Sequence, residues 1–211
     1  VTNKNEKTSE TQPTRIYKPE IRKKIRNKRR QLKTESIKAA SEQVAAQMIS
    51  LTAFIQSRKI AFYLPEENEL DPLPTIHCIA KQAQDKMFYL PTITANSKLL
   101  SFYPYPLGGP LTKNRYGILE PNTENNTPID STLLDTILVP VVGFDKHCNR
   151  LGRGAGYYDQ TFQFKLLMTK KTPCLIGLGY EFQKIPPMIP AKWDVPLDYI
   201  VTEETIYRRT R

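Results

Sequence analysis

Glycine, cysteine, histidine and tryptophan are scarce in this chain of 211 residues, at nine, three, two and one. The cysteines, Cys78, Cys148 and Cys174, form an odd set without a CxxC pair, which argues against a disulfide framework and for reduced thiols in a reducing compartment. His77 with Cys78 and His147 with Cys148 could be drawn as a zinc site, but neither pair has the usual ligand spacing. No run approaches the roughly 18 apolar residues of a membrane span. The N-terminal residues also lack the short apolar core of a secretory signal. A cytoplasmic protein without membrane partners is therefore expected. No internal repeat is present.

Positive charge is what the chain has in plenty, with 31 Lys or Arg against 21 Asp or Glu. Its distribution matters more than its total. Residues 1–33 carry twelve basic side chains against Glu6, Glu10 and Glu20, so +9 of the formal +10 lies there and the remainder is nearly neutral. A basic arm of this kind can follow phosphate chains through counterion release. Equally it can be a solvated helix face beside a disordered tail, so nucleic acid is the lesser reading. The length suits one domain, or one domain plus an arm, acting as a monomer, with enough chain to bury a core without covalent staples.

Residues 1–17 are expected to be a tail, and residues 1–14 of it, polar and without apolar periodicity, to be disordered. In residues 18–32, Ile21, Ile25 and Leu32 fall on one helical stripe and Arg22, Arg26 and Arg29 on an adjoining one, which predicts a basic amphipathic helix. Ile37, Val44, Met48, Leu51 and Ile55 predict a second helix ending near Ser57. A buried strand over 59–65, a helix over 72–84 and strands over 86–91 and 99–105 follow. Residues 135–144, DTILVPVVGF, form the most apolar run and are expected as the central strand. A helix over 157–168 and strands within 173–180 and 198–202 complete the pattern. The fold class is α/β: a single domain over 18–202 with a mixed, mostly parallel sheet flanked by helices, a basic N-terminal helical arm, and a C-terminal tail over 203–211. Ligands in such sheets sit beyond the carboxyl ends of the strands, and there the chain reads NRLGRGAGYYD over 149–159.

Gly152, Gly154 and Gly156 can adopt backbone angles closed to other residues, so that successive amides turn toward one anion. A helix beginning near Tyr157 would aim its free N–H groups at the same spot. Arg150 and Arg153 would add formal charge. A dinucleotide fingerprint needs GxGxxG and a Walker loop needs GK[ST]; the loop here has neither spacing nor lysine. Lys18 is a candidate for the missing lysine, and Asp159 for holding a hard cation through carboxylate oxygen. The bland alternatives are a tight surface turn with solvated arginines and a first-turn acid.

Phe144, Asp145, Arg150, Leu151, Gly152, Gly154, Gly156, Tyr157, Tyr158 and Asp159 match all but one defined position of the pattern FDxxGxRLGxGxGYYD. In this the chain resembles the 5-formyltetrahydrofolate cyclo-ligases, also called methenyltetrahydrofolate synthetases. The resemblance runs from about Lys18 to Thr202 and includes KPEIR, FYLPEENELD over 62–71, RYGILEP over 115–121 and WDVPLD over 193–198. It implies ATP-dependent conversion of 5-formyltetrahydrofolate to 5,10-methenyltetrahydrofolate, with ATP as co-substrate and Mg2+ as cofactor. By position it implies ATP contacts from Lys18, Arg22 and the segment Arg150, Leu151, Gly152, Arg153, Gly154, Ala155, Gly156, Tyr157 and Tyr158. The residues from Arg153 to Tyr157 would also face folate, with Leu64 and Glu69. Magnesium positions fall on Asp159 and Asp194, and Arg153 is assigned the transferred phosphoryl group. Judged by burial habits alone, Glu69 would be a solvated turn acid and Trp193 a core aromatic. Two departures stand out: Cys148 where the pattern has glycine, and Ala155 where lysine is frequent.

Overall fold

The computed structural model describes residues 18–94, 97–114, 117–124, 126–167 and 172–210. The expected tail over residues 1–17, Arg115 and Tyr116 of the RYGILEP stretch, and Met168 lie outside these residues. Helices α1 (Lys18–Arg30), α2 (Thr34–Met48) and α3 (Thr52–Ile55) precede β1 (Lys59–Ala61), α4 (Leu73–Gln82), β2 (Met87–Ile93) and β3 (Leu100–Pro104). A hairpin of β4 (Leu111–Lys113) and β5 (Leu119–Pro121) follows. Then come β6 (Thr136–Pro140), β7 (Gly143–Phe144), β8 (Arg150–Leu151), α5 (Tyr157–Thr161), β9 (Cys174–Leu178), β10 (Tyr199–Val201) and β11 (Ile206–Arg208).

Seven strands form one sheet in the order β11-β10-β9-β6-β1-β2-β3. The inner pairings are parallel, and β3 and β11 close the edges antiparallel. The apolar run expected as the central strand lies at the middle as β6, and its alternation divides two cores. Leu138 faces Val44, Met48, Phe54 and Ile76 from α2, α3 and α4, while Ile137 and Val139 join Phe162, Val195 and Leu197 on the other face. Burying each such side chain contributes about 1.5–3 kcal/mol.

Local chemistry moves several expected boundaries. The second helix breaks after Met48 rather than running to Ser57, because Ser50 turns its hydroxyl onto the Gln47 carbonyl at 2.7 Å and Leu51 becomes extended. The 135–144 run splits at Val141 and Val142, whose carbonyls both accept from Gln183 Nε2. The helix after the glycine loop stops at Thr161 and passes into a 3-10 turn, Gln163–Leu166, because Phe162 (φ −105) drops into the core beside Phe102. Residues 203–211 are not a tail throughout: Ile206–Arg208 pair with β10, and Tyr207 packs on Phe144 with ring centroids 5.4 Å apart. On α1, Arg29 is not on the exposed basic face but inside, 1% exposed, one turn after the buried Ile25.

Candidate active site

The strand order reverses between β1 and β6, and a crevice opens beyond their carboxyl ends. Tyr63 and Leu64 after β1, Leu90 and Pro91 in β2, and Val141 and Val142 after β6 line a cavity of about 1240 Å3 there. All the site residues named from the sequence, from Lys18 on α1 to Asp194, line this same cavity. The β4–β5 hairpin adds Ile118, Leu119 and Glu120, which sequence reasoning did not single out.

The base of the glycine loop is built on Asp145. Its fully buried carboxylate accepts from the His147, Asn149 and Met188 amides and from Asn149 Nδ2 at 2.9–3.0 Å. Cys148 takes φ +63 in the turn, so the backbone conformation suited to glycine is present with cysteine in it. Its thiol is fully buried, which pushes its pKa up to about 12. Beyond β8, Gly154 (φ +110) and Gly156 (φ +77) occupy positive-φ conformations, whereas Gly152 does not. The Gly152 carbonyl accepts from Arg22 Nε at 2.7 Å. Among the described residues, no protein acceptor takes the main-chain N–H groups of residues 152–156. The expected helix behind them is only the five residues of α5, too short for a developed macrodipole.

Cations and acids are already paired around the cavity. Lys18 Nζ lies 3.3 Å from Asp194 Oδ2. Arg150 is 5% exposed and donates to Asp159 Oδ1 at 2.7 Å; burial lowers its pKa, against the pull of Asp159. Arg153 donates to Glu69 Oε1 from Nε (3.1 Å) and Nη2 (2.9 Å), and from Nη1 to Glu66. Burial opposes the Arg153 charge, but Glu69 and Glu66 outweigh it and its pKa is raised. Burial raises the Tyr158 phenol, keeping it neutral beside these groups.

Glu69 is 5% exposed and therefore not a solvated turn acid, and Trp193 is 65% exposed at the cavity rather than in the core. Asp159 Oδ1 accepts from Arg150 and the Val195 amide, and Asp194 Oδ2 from Lys18 and the Ala191 amide. Among the described residues, the second oxygen of each carboxylate accepts no hydrogen bond. No group of three or more His, Cys, Asp or Glu stands ready for a metal among the described residues. Glu66 was also missed. The only sequence signal is its place in PEENELD, and its direction depends on the positive φ of Glu67 and Asn68, which no periodicity reveals.

The sequence pattern described as the 5-formyltetrahydrofolate cyclo-ligase family matches residues 15–203. A 5-formyltetrahydrofolate cyclo-ligase of Haemophilus influenzae is 33% identical over 181 residues, 84% of this chain and 93% of the relative. One from Escherichia coli is 29% identical over 187 residues, 87% and 98% of the two chains. The NMR structure of Aquifex aeolicus 5,10-methenyltetrahydrofolate synthetase superposes with TM-score 0.74 at 31% identity, covering 92% of this chain and 93% of that one. With the family pattern spanning nearly the whole chain and the site residues named from the sequence gathered around one cavity, the protein belongs to the 5-formyltetrahydrofolate cyclo-ligase family.

Proposed function

We propose that the protein converts 5-formyltetrahydrofolate and ATP into 5,10-methenyltetrahydrofolate, ADP and phosphate. The observation that carries this reading is the union in one cavity of unclaimed loop amides, four cations and a buried acid. The amides belong to residues 152–156; Lys18, Arg22, Arg150 and Arg153 surround them, and Glu69 stands opposite. Polyphosphate needs the first two sets, and a pterin ring, with its N–H donors, suits the third.

The formyl oxygen attacks the γ-phosphorus and ADP leaves; N10 then attacks the activated formyl carbon and gives up its proton, and the C–O bond breaks, releasing phosphate. No protein nucleophile is required, because both nucleophiles belong to the folate. The chain's task is to align the two substrates and meet the charge on the phosphoryl oxygens, which backbone N–H groups and guanidinium do without reorganisation. Arg153 is assigned to the transferred group, Lys18 and Arg22 to the rest of the phosphate tail, and Leu64 with Glu69 to the pterin.

Magnesium fits the donor set. The ion takes one or two carboxylates, with phosphate oxygens and waters completing its shell, and Asp159 and Asp194 each offer one oxygen that accepts no hydrogen bond among the described residues. When bound, it would neutralise phosphate charge. No helix among the described residues is long and apolar enough to cross a membrane, in keeping with a cytoplasmic setting. Nucleic acid is not favoured as a partner. Arg26, Arg29 and Arg30 of the basic helix are engaged by Glu67, and Arg22 faces the cavity.

Mixing the protein with 5-formyltetrahydrofolate, ATP and Mg2+ should raise the near-ultraviolet absorbance of the methenyl product, with one ADP and one phosphate per turnover. Chelating the metal should stop it. Folded protein that produces no such rise refutes the assignment.

A further inference from the structure

Arg29 reaches the interior from a helix whose other basic residues keep contact with solvent, and its side chain is 1% exposed. Nε donates to the Glu67 carbonyl at 2.8 Å, and Asn68 Nδ2 donates to the Arg29 carbonyl at 3.2 Å. These bonds hold the turn in which Glu67 and Asn68 take φ 48 and 58. Among the described residues, Nη1 and Nη2 have no hydrogen-bond acceptor. The nearest carboxylate oxygens stand just too far away: Glu69 Oε1 at 3.6 Å from Nη1 and Glu67 Oε2 at 3.7 Å from Nη2. A buried guanidinium short of partners is unfavourable and calls for an explanation.

The explanation lies on the far side of Glu69. Its Oε1, the atom nearest Arg29, is held by two bonds from Arg153. Two arginines therefore address one carboxylate oxygen, Arg153 from the cavity with 39% of its side chain exposed, Arg29 from the interior. Arg153 Nη1 is held by Glu66, and its other two donors, Nε and Nη2, by Glu69; to turn that pair onto a phosphoryl group it must leave Glu69. At 5% exposure that carboxylate cannot be abandoned without another counter-charge. Burial lowers the Arg29 pKa, and Glu69 is the main influence opposing it, so the two groups already sense each other.

We propose that Arg29 is a positioning residue that takes Glu69 over from Arg153 when the substrates bind, freeing Arg153 for the phosphates while Glu69 faces the folate. The exchange rests on the assigned reaction and is a swap of hydrogen bonds without a covalent step. Nη1 need close only from 3.6 Å to an ordinary N–H···O separation of about 2.9 Å. Nη1, one of the two nitrogens without an acceptor, is then satisfied in the loaded site.

The test is a steady-state series on the full chain: wild type, Arg29→Gln, Arg29→Lys, Glu69→Gln and the double variant Arg29→Gln/Glu69→Gln, each with a thermal melt. In Arg29→Gln, Arg153 stays trapped on Glu69, so kcat should fall about tenfold or more while the KM for ATP stays within about twofold. Arg29→Lys should recover most of the loss. In the double variant the Glu69 carboxylate is gone and only Glu66, present in every variant, still holds Arg153, so kcat should be no lower than in Glu69→Gln alone. Losses that multiply, or a wild-type kcat in Arg29→Gln, overturn the exchange. Should Arg29→Gln not fold, a crystal structure of the wild type with a non-hydrolysable ATP analogue and 5-formyltetrahydrofolate decides. Arg29 within hydrogen-bonding distance of Glu69, with Arg153 withdrawn, supports the exchange; Arg153 keeping both bonds overturns it. A wild type without turnover sinks the assigned reaction and the exchange together, whereas an active wild type with independent Arg29 and Glu69 sinks the exchange alone.

Discussion

Two loops face the same cavity and are held by opposite means. Residues 66–69 place Glu67 and Asn68 in left-handed backbone without a glycine, at roughly 1–2 kcal/mol per residue. The compensation is ionic: Arg26 grips the Glu67 carboxylate with Nε and Nη2, Arg30 joins it, and Arg29 takes the carbonyl. Residues 152–156 instead put positive φ on Gly154 and Gly156 and leave their amides without acceptors among the described residues. The first loop is organised by charge before any ligand arrives, while the second keeps its donors in reserve. Damage to the first should therefore appear in stability, and damage to the second in binding and turnover.

Arg153 joins the two loops, so its replacement is the most severe way to probe the contrast. Arg153→Gln should lower kcat about 10²–10³-fold, with a melting midpoint close to wild type because the side chain is 39% exposed. Gly154→Ala comes next. Among the described residues only Arg22 approaches the new Cβ, at 3.8 Å, so the cost is one of backbone angle at φ +110. The KM for ATP should rise about tenfold, and the urea midpoint should report a loss of no more than about 1–2 kcal/mol.

Glu67→Ala reverses the pattern, lowering stability by about 1 kcal/mol while the KM for ATP stays unchanged. Its pH dependence has a definite sign. Hydrogen bonds from Arg26, opposed by burial and reinforced by Arg30, hold the Glu67 carboxyl below its ordinary 4.5. Its contribution is complete above that value and disappears as pH falls through the lowered folded-state value. Urea midpoints of wild type and variant should thus differ at pH 6 and converge in acid; a gap that widens in acid contradicts the ionic clamp. The smallest effect concerns the base of the glycine loop. Burial pushes both Cys148 and Cys174 up to about 12. Native alkylation at pH 8 should label Cys78 and spare Cys148, and labelling of Cys148 would show that the loop base opens.

Much of the fold was legible in the sequence. The apolar run of β6 announced a strand buried on both faces, and the glycine loop announced bare backbone at a strand end. The boundaries that moved did so through contacts invisible to periodicity, such as Ser50 on the Gln47 carbonyl and Gln183 on the Val141 and Val142 carbonyls. Within the site, residue types and chain positions were legible, but partners were not. Asp159 reads as a metal carboxylate or a first-turn acid, yet one of its oxygens belongs to Arg150 and the Val195 amide, 9 and 36 residues away. Trp193 reads as core by composition and stands exposed at the cavity.

By itself the sequence determined the alternation that builds a two-faced sheet, the glycines that permit positive φ, and the arginine density of α1, because these depend on local backbone sterics and on periodicity along one element. Tertiary structure alone decided that Arg29 goes inside, that Glu67 answers the basic helix, and that Arg153 and Arg29 meet at one oxygen of Glu69. The physical reason is that a charge's energy depends on what replaces its water. That replacement comes from residues dozens of positions away, brought together only when the chain packs.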